Sequence, residues 1–262
     1  MSKLLRFELY KLIRHKAFII CSSIILGLNI FTVVMLKILA NFLGEDSIPI
    51  SGGGYVLMTM GSSFSYIICA FTAVFVCSDY EQETIKNIYA RGFTRTGVFF
   101  AKYIAVIAAT VAIYLVVALF NFILGSLLLS GGQDVDDLAV KIVLQILLVW
   151  AYTSLAFMFG MLFKRNGPAI SLSIVTPLVI TVILTIVTLI IDVSNLEDAF
   201  LSSVSLNSYW LDGITSSVSV SIIDLGLGAG ETTDMLRNYI MTIVYAVGFT
   251  GFAFLANCNS DK

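Results

Sequence analysis

Six long apolar stretches divide this chain, each able to cross about 30 Å of hydrocarbon at roughly 1.5 Å of helical rise per residue. They run over residues 17–43, 56–76, 103–129, 142–163, 168–191 and 239–256, the first having its densest apolar part at 17–36. With 58% hydrophobic and 12% charged residues and a mean hydropathy of +0.97, the chain has too little charge to cover a soluble surface. The expected class is therefore an all-α membrane protein with six transmembrane helices. Residues 1–262 read as one transmembrane domain, with no internal repeat and no separate soluble domain.

Charge sets the expected orientation. Lys3, Arg6, Lys11, Arg14, Lys16, Lys86, Arg91, Arg95, Lys102, Lys164, Arg165 and Lys262 fall on one side if both termini share it. That is 12 of the 15 basic residues, so this side is expected to be cytoplasmic. Sixteen residues precede an apolar run too long for a signal h-region, and no A-x-A exit follows, so no cleavable signal is expected. Residues 2–16 place Leu5, Leu9, Leu12 and Ile13 on one stripe among basic residues, which predicts an amphipathic helix in the inner interface. Residues 192–237 are too apolar for a solvated loop. Leu196, Phe200, Val204, Leu206, Trp210, Leu211 and Ile214 recur near helical spacing and predict a re-entrant segment before the last span.

Most enzymatic chemistry is missing from the sequence. There is no G-x-x-x-x-G-K-[ST], HExxH or GxSxG, and Cys21, Cys69, Cys77 and Cys258 lack metal or disulfide spacing. The single histidine, His15, reads as a flank of the first span. The six apolar runs contain no Asp, Glu or His, which argues against a proton relay. Asn29, Asn121, Gln145 and Ser154 read first as interhelical hydrogen-bonding groups, and Ala101, Ala105 and Ala109 as a packing seam. Pro177 lies within the fifth span and is expected to kink it.

The exception is the polar segment 80–95. Glu83 to Tyr89 can form two helical turns with Ile85, Ile88 and Tyr89 on one face, and Glu81, Glu83, Lys86, Arg91 and Arg95 supply charge. Such a helix can dock in a groove of a soluble partner. A solvated turn explains the spacing equally well.

The string E-x-E-T-I-K-N-I, then R-G-F-T-R, then Lys102 opening the next span, resembles the first cytoplasmic loop of type-2 ABC exporter permeases. Glu83 replaces the glycine many members carry before the threonine, and Gly92-Phe93 replaces their usual proline. The interfacial helix, six spans and apolar segment before the last span are similar to that family as well. The resemblance implies a coupling helix whose interface comprises Glu81, Glu83, Thr84, Ile85, Lys86, Asn87, Ile88, Tyr89, Arg91 and Arg95.

It also implies a multi-pass protein of the bacterial plasma membrane, surrounded by lipid, with both termini cytoplasmic. The partners expected are two copies of an ABC-type ATPase and a second permease, identical or paralogous. ATP and Mg would be bound by the ATPase, with no cofactor on this chain. The cargo implied is a hydrophobic or amphipathic peptide, toxin or antibiotic, as in antibiotic export or immunity. Asn29, Phe64, Ser65, Thr176 and Pro177 are candidates for its path. Lipid, polysaccharide or ion cargo is the alternative within the family, and a stand-alone channel-like or assembly factor is the alternative outside it. No catalytic residue, metal site or nucleic-acid partner is expected.

Overall fold

The structure, a computed structural model, describes residues 2–43, 56, 62–82, 84–90, 92–128, 138–193, 211, 214 and 235–259. Among these, all regular structure is helical. The helices are α1 Ser2–Arg14, α2 Lys16–Leu43, α3 Ser62–Glu81, α4 Thr84–Ala90, α5 Arg95–Leu128, α6 Leu138–Phe163, α7 Asn166–Val193 and α8 Met235–Asn259. All but α1 and α4 are long and apolar enough to cross a membrane, which gives the six helices of a multi-pass membrane protein.

Local chemistry explains where the short elements stop. Gly92, at φ 84°, adopts the left-handed conformation that closes α4, its N–H donating to the Tyr89 carbonyl at 2.9 Å. Two residues later the Thr94 hydroxyl accepts the Gly97 N–H at 3.3 Å and caps α5. The R-G-F-T-R string is thus a stop followed by a start. Lys164, at φ 53°, ends α6 in the same left-handed region without the freedom of glycine.

Two helices form the centre. About two thirds of the membrane-length parts of α3 and α6 is buried, against 11% to 17% for α2, α7 and α8. α3 and α6 run parallel and in register: the thiols of Cys69 and Cys77 reach the carbonyls of Tyr152 and Gly160, each at 3.6 Å. Gly160 permits this approach, since a Cβ there would stand 2.8 Å from a Val76 methyl. Tyr114, Tyr152, Phe71, Phe75 and Phe157 are the largest fully buried side chains around the pair.

Polar side chains in the apolar runs bond to one another. Asn121 donates to Asn29 at 2.8 Å, and the Tyr114 hydroxyl donates to Gln145 at 2.6 Å. The Tyr103 hydroxyl joins Ser154, Thr250 and the Trp150 indole N–H. These bonds tie α5 to α2, to α6 and to α8, the usual role of polar groups between apolar helices.

The α1 helix lies across the alanine row of α5. Leu4 packs with Val98 and Ala101, and Leu12 with Val106, Ala109, Phe71 and Phe75. Small residues at 101, 105 and 109 let α1 settle close to the α5 backbone. The buried row of α1 is Leu4, Glu8 and Leu12, whereas Ile13, placed by its sequence pattern on the apolar stripe, is 61% exposed. The 192–237 segment lies outside the described residues except for Leu211 and Ile214, both helical and buried in the main core cluster.

Candidate functional site

Where α1, α3, α4 and α5 meet, four charged side chains are brought together. Asp79, 1% exposed, stands near the end of α3. One carboxylate oxygen, Oδ2, accepts from Lys102 of α5 at 2.7 Å, and the other, Oδ1, accepts from Lys11 of α1. The Thr84 hydroxyl, on the first residue of α4, is 3.2 Å from both Asp79 Oδ1 and the Asp79 carbonyl. One carboxylate thus holds four helices.

Lys102 is 3% exposed and has a full shell. Besides Asp79, its ammonium donates to the Val76 carbonyl at 3.0 Å and lies over the rings of Phe75 and Tyr80, at 5.7 and 5.6 Å. A buried cation needs this much compensation for the water it has lost. Lys11 also lies 5.9 Å over the Phe75 ring. Burial pushes the Lys11 ammonium below the usual lysine range, the Lys102 charge adds to this, and Glu8 opposes it. With Glu8 fully buried on α1, the cluster contains two carboxylates and two ammonium groups. Its formal charge balances.

A second tether lies beside it. The Glu81 carboxylate, at the end of α3, accepts the backbone N–H of Asn166 at 2.8 Å and its side-chain amide as well. A carboxylate at the first residue of α7 meets the unpaired N–H groups and positive dipole end of that helix. Lys164 lies 5.8 Å over the Tyr80 ring. The α3–α4 corner and the α6–α7 turn are therefore fastened together.

The residues expected at a partner interface divide three ways. Ile85 turns inward and is 8% exposed, next to a cavity of about 10 Å³ that Tyr80, Tyr89, Phe99, Lys102 and Phe157 also border. Ile88 and Tyr89 are half-buried against the Leu4, Val98 and Ala101 cluster. The apolar face of α4 is thus already spent on its own bundle, which corrects the expectation that Ile85 projects outward. The physical reason is that α1 and α5 present an apolar surface one side chain away, closer than any partner.

Arg95 opens α5, with its guanidinium 5.6 Å over the Tyr89 ring. Glu83 and Arg91 lie outside the described residues, and Lys86 and Asn87 are placed on α4 by backbone only. Ala90, Gly92, Phe93, Thr94 and Arg95 form the exposed rim at the end of α4.

The candidate path residues sit in different surroundings among the described residues. Asn29 is bonded to Asn121, and Phe64 packs edge-on against Tyr114 at 6.0 Å. Ser65 is buried on α3, Thr176 is half-buried, and Pro177 lies inside an α7 helix that continues to Val193. A hollow of about 360 Å³ is lined by Leu236, Arg237, Ile240 and Met241 of α8.

Asp79 and Glu8 were not singled out from sequence. Asp79 stands three residues beyond the apolar run that ends at Val76, and Glu8 is the only acid among residues 2–16. That lone acid amid lysines and arginines was the available signal. Among the described residues, no group of three His, Cys, Asp or Glu side chains could hold a metal ion.

Comparison with known proteins gives a family without a stated activity. The family model described as "Protein of unknown function (DUF2705)" matches residues 31–176, more than half of the chain. The matched region includes Asp79, Thr84 and Lys102 and leaves out Glu8 and Lys11 of α1. No curated protein matches the chain.

Proposed function

We propose that this chain, which belongs to the DUF2705 family, is the membrane-spanning permease subunit of an ABC exporter powered by a separate ATPase. The single observation that carries the reading is the placement of α4. A seven-residue helix sits between two membrane-length helices, and its first residue is bonded to the carboxylate that also holds α1, α3 and α5. A push on α4 would be felt by three other helices at once. That is what a nucleotide-driven partner needs in order to act on a membrane domain. It agrees with the resemblance of residues 81–102 to a coupling loop.

In this reading the α4 end faces the cytoplasm, as the positive-inside distribution favours, and α1 rests in the inner interface. The partner meets the rim at Ala90, Phe93 and Arg95, with Tyr89 at its edge, and Glu81 orients the neighbouring turn. Two permease copies and two ATPases assemble, and the 192–237 segment lies on the outer side. A hydrophobic or amphipathic peptide is the cargo that an apolar bundle would best suit.

One observation favours the second reading, a stand-alone membrane protein. The inward packing of Ile85 leaves α4 with fewer apolar anchors for a partner than its sequence offers. Purification of the tagged chain from its own membranes distinguishes the two. An exporter subunit brings with it a stoichiometric P-loop ATPase whose hydrolysis responds to a peptide panel, and a stand-alone protein does not.

A further inference from the structure

The charge cluster distributes its bonds unevenly. Asp79 takes both ammonium groups and the Thr84 hydroxyl, whereas neither oxygen of the fully buried Glu8 has a hydrogen-bond partner among the described residues. A buried carboxylate without a hydrogen bond is costly. Glu8 nevertheless lies one helical turn from Lys11, a spacing at which Cβ atoms on one helix are about 5–6 Å apart. The Lys11 side chain is 23% exposed and rides on a flexible four-carbon stem. It can swing from Asp79 to Glu8 without any movement of α1.

We infer that Glu8 is the second seat of Lys11, and that α1 is a detachable latch on the α3–α4 corner. In the docked arrangement Lys11 bonds to Asp79 across the helix boundary. In the released arrangement Lys11 pairs with Glu8 on its own helix, and Asp79 keeps Lys102. Each surface then separates as a neutral pair, Glu8–Lys11 on α1 and Asp79–Lys102 on the bundle. No charge has to leave the interface bare. Without Glu8, α1 would have to depart carrying an unmatched ammonium and leave Lys11's place on Asp79 unfilled. Release would also leave Thr84 as the remaining partner of Asp79 Oδ1, which loosens the start of α4. This latch rests on the four charged groups alone and holds whether or not α4 meets an ATPase.

The test is amide hydrogen exchange of α1, residues 4–12, in the full chain reconstituted in lipid nanodiscs. Glu8→Gln removes the second seat and relieves the bare carboxylate of the docked state, so both effects favour docking. Exchange in α1 should slow by at least about fivefold, the change expected for a shift of this size in a local opening equilibrium. Glu8→Leu should act in the same direction, and either variant suffices if exchange in α6 shows the fold intact. Lys11→Gln, which loses both seats, should accelerate α1 exchange instead. If Glu8 serves only as a counter-charge to Lys102, Glu8→Gln loosens α1. Exchange that is unchanged or faster in the Glu8 variants overturns the latch.

Discussion

Lys102 places its ammonium 2.7 Å from Asp79 Oδ2, joining α5 to the end of α3 where both side chains are almost wholly buried. Pairs of this kind are costly to split, because the survivor stays buried and unmatched, and removing one partner typically costs about 3–5 kcal/mol. Asp79→Ala should therefore destabilise the chain by about that much in denaturant titrations in micelles. Asp79→Leu combined with Lys102→Met, which removes both charges and keeps the volume, should recover most of the loss. Lys11→Met alone should cost less than Asp79→Ala, since Lys11 is partly exposed.

The close approach of α3 and α6 predicts a specific non-additivity. A Cβ at Gly160 would fall 2.8 Å from a methyl of Val76, a β-branched side chain with little rotamer freedom. Gly160→Ala should overpack this contact by about 1–3 kcal/mol, partly offset by the better helix propensity of alanine. Val76→Gly removes both the methyl and the Cβ, which would itself stand 2.9 Å away, and so creates the missing space. The double substitution should be more stable than the sum of the two single effects by about 1 kcal/mol or more. Strict additivity in the same titrations would place the helices further apart.

At the α1–α2 junction, the His15 ring nitrogen Nδ1 accepts the Ala17 N–H at 3.3 Å and so caps α2. Burial lowers the pKa of His15 below the usual 6.5, and the neighbouring Lys11 charge lowers it further. The folded state thus favours the neutral ring, while the unfolded chain takes up the proton near its ordinary pKa. The resulting stability is present above about pH 6.5 and declines as pH falls through that value toward the folded pKa. His15→Asn keeps a capping oxygen and cannot titrate in this range. Thermal unfolding followed from pH 8 to 5 should show a flatter profile for the variant than for the parent chain.

The six long helices were legible because the transfer of about twenty apolar side chains dominates every local preference. Their ends were not. The second apolar run stops at Val76, yet α3 continues through Asp79 to Glu81, since lysines from α1 and α5 satisfy a charge that a sequence window treats as a boundary. The fifth helix starts at Arg95, eight residues ahead of the apolar run, because Thr94 caps it. The face of α1 that meets the bundle was not legible for a related reason. An apolar stripe expected in the interface does not say where the charges go, and here Glu8 and Lys11 face the bundle while Phe7, Tyr10 and Ile13 are exposed. In a chain whose outer surface is itself apolar, charge pairs can be the buried side. The short α4 helix was visible in the residues 83–89, whereas the direction of Ile85 depended on α5 and on residues more than sixty positions away in α6.

The most direct measurement is photo-crosslinking from Ala90, the exposed last residue of α4, in native membranes, with the captured protein identified by mass spectrometry. An identical probe at Ala108, exposed on α5 within its membrane-length stretch, serves as the control. The account predicts a single main product from Ala90, a P-loop ATPase absent from the Ala108 sample and lost when Phe93 and Arg95 are both changed to alanine. Interface energy gathers in a few such residues, whose truncation costs about 2 kcal/mol or more. Membranes in which Ala90 captures no nucleotide-binding protein, while the chain is inserted and folded, would contradict the permease assignment and leave α4 a structural brace.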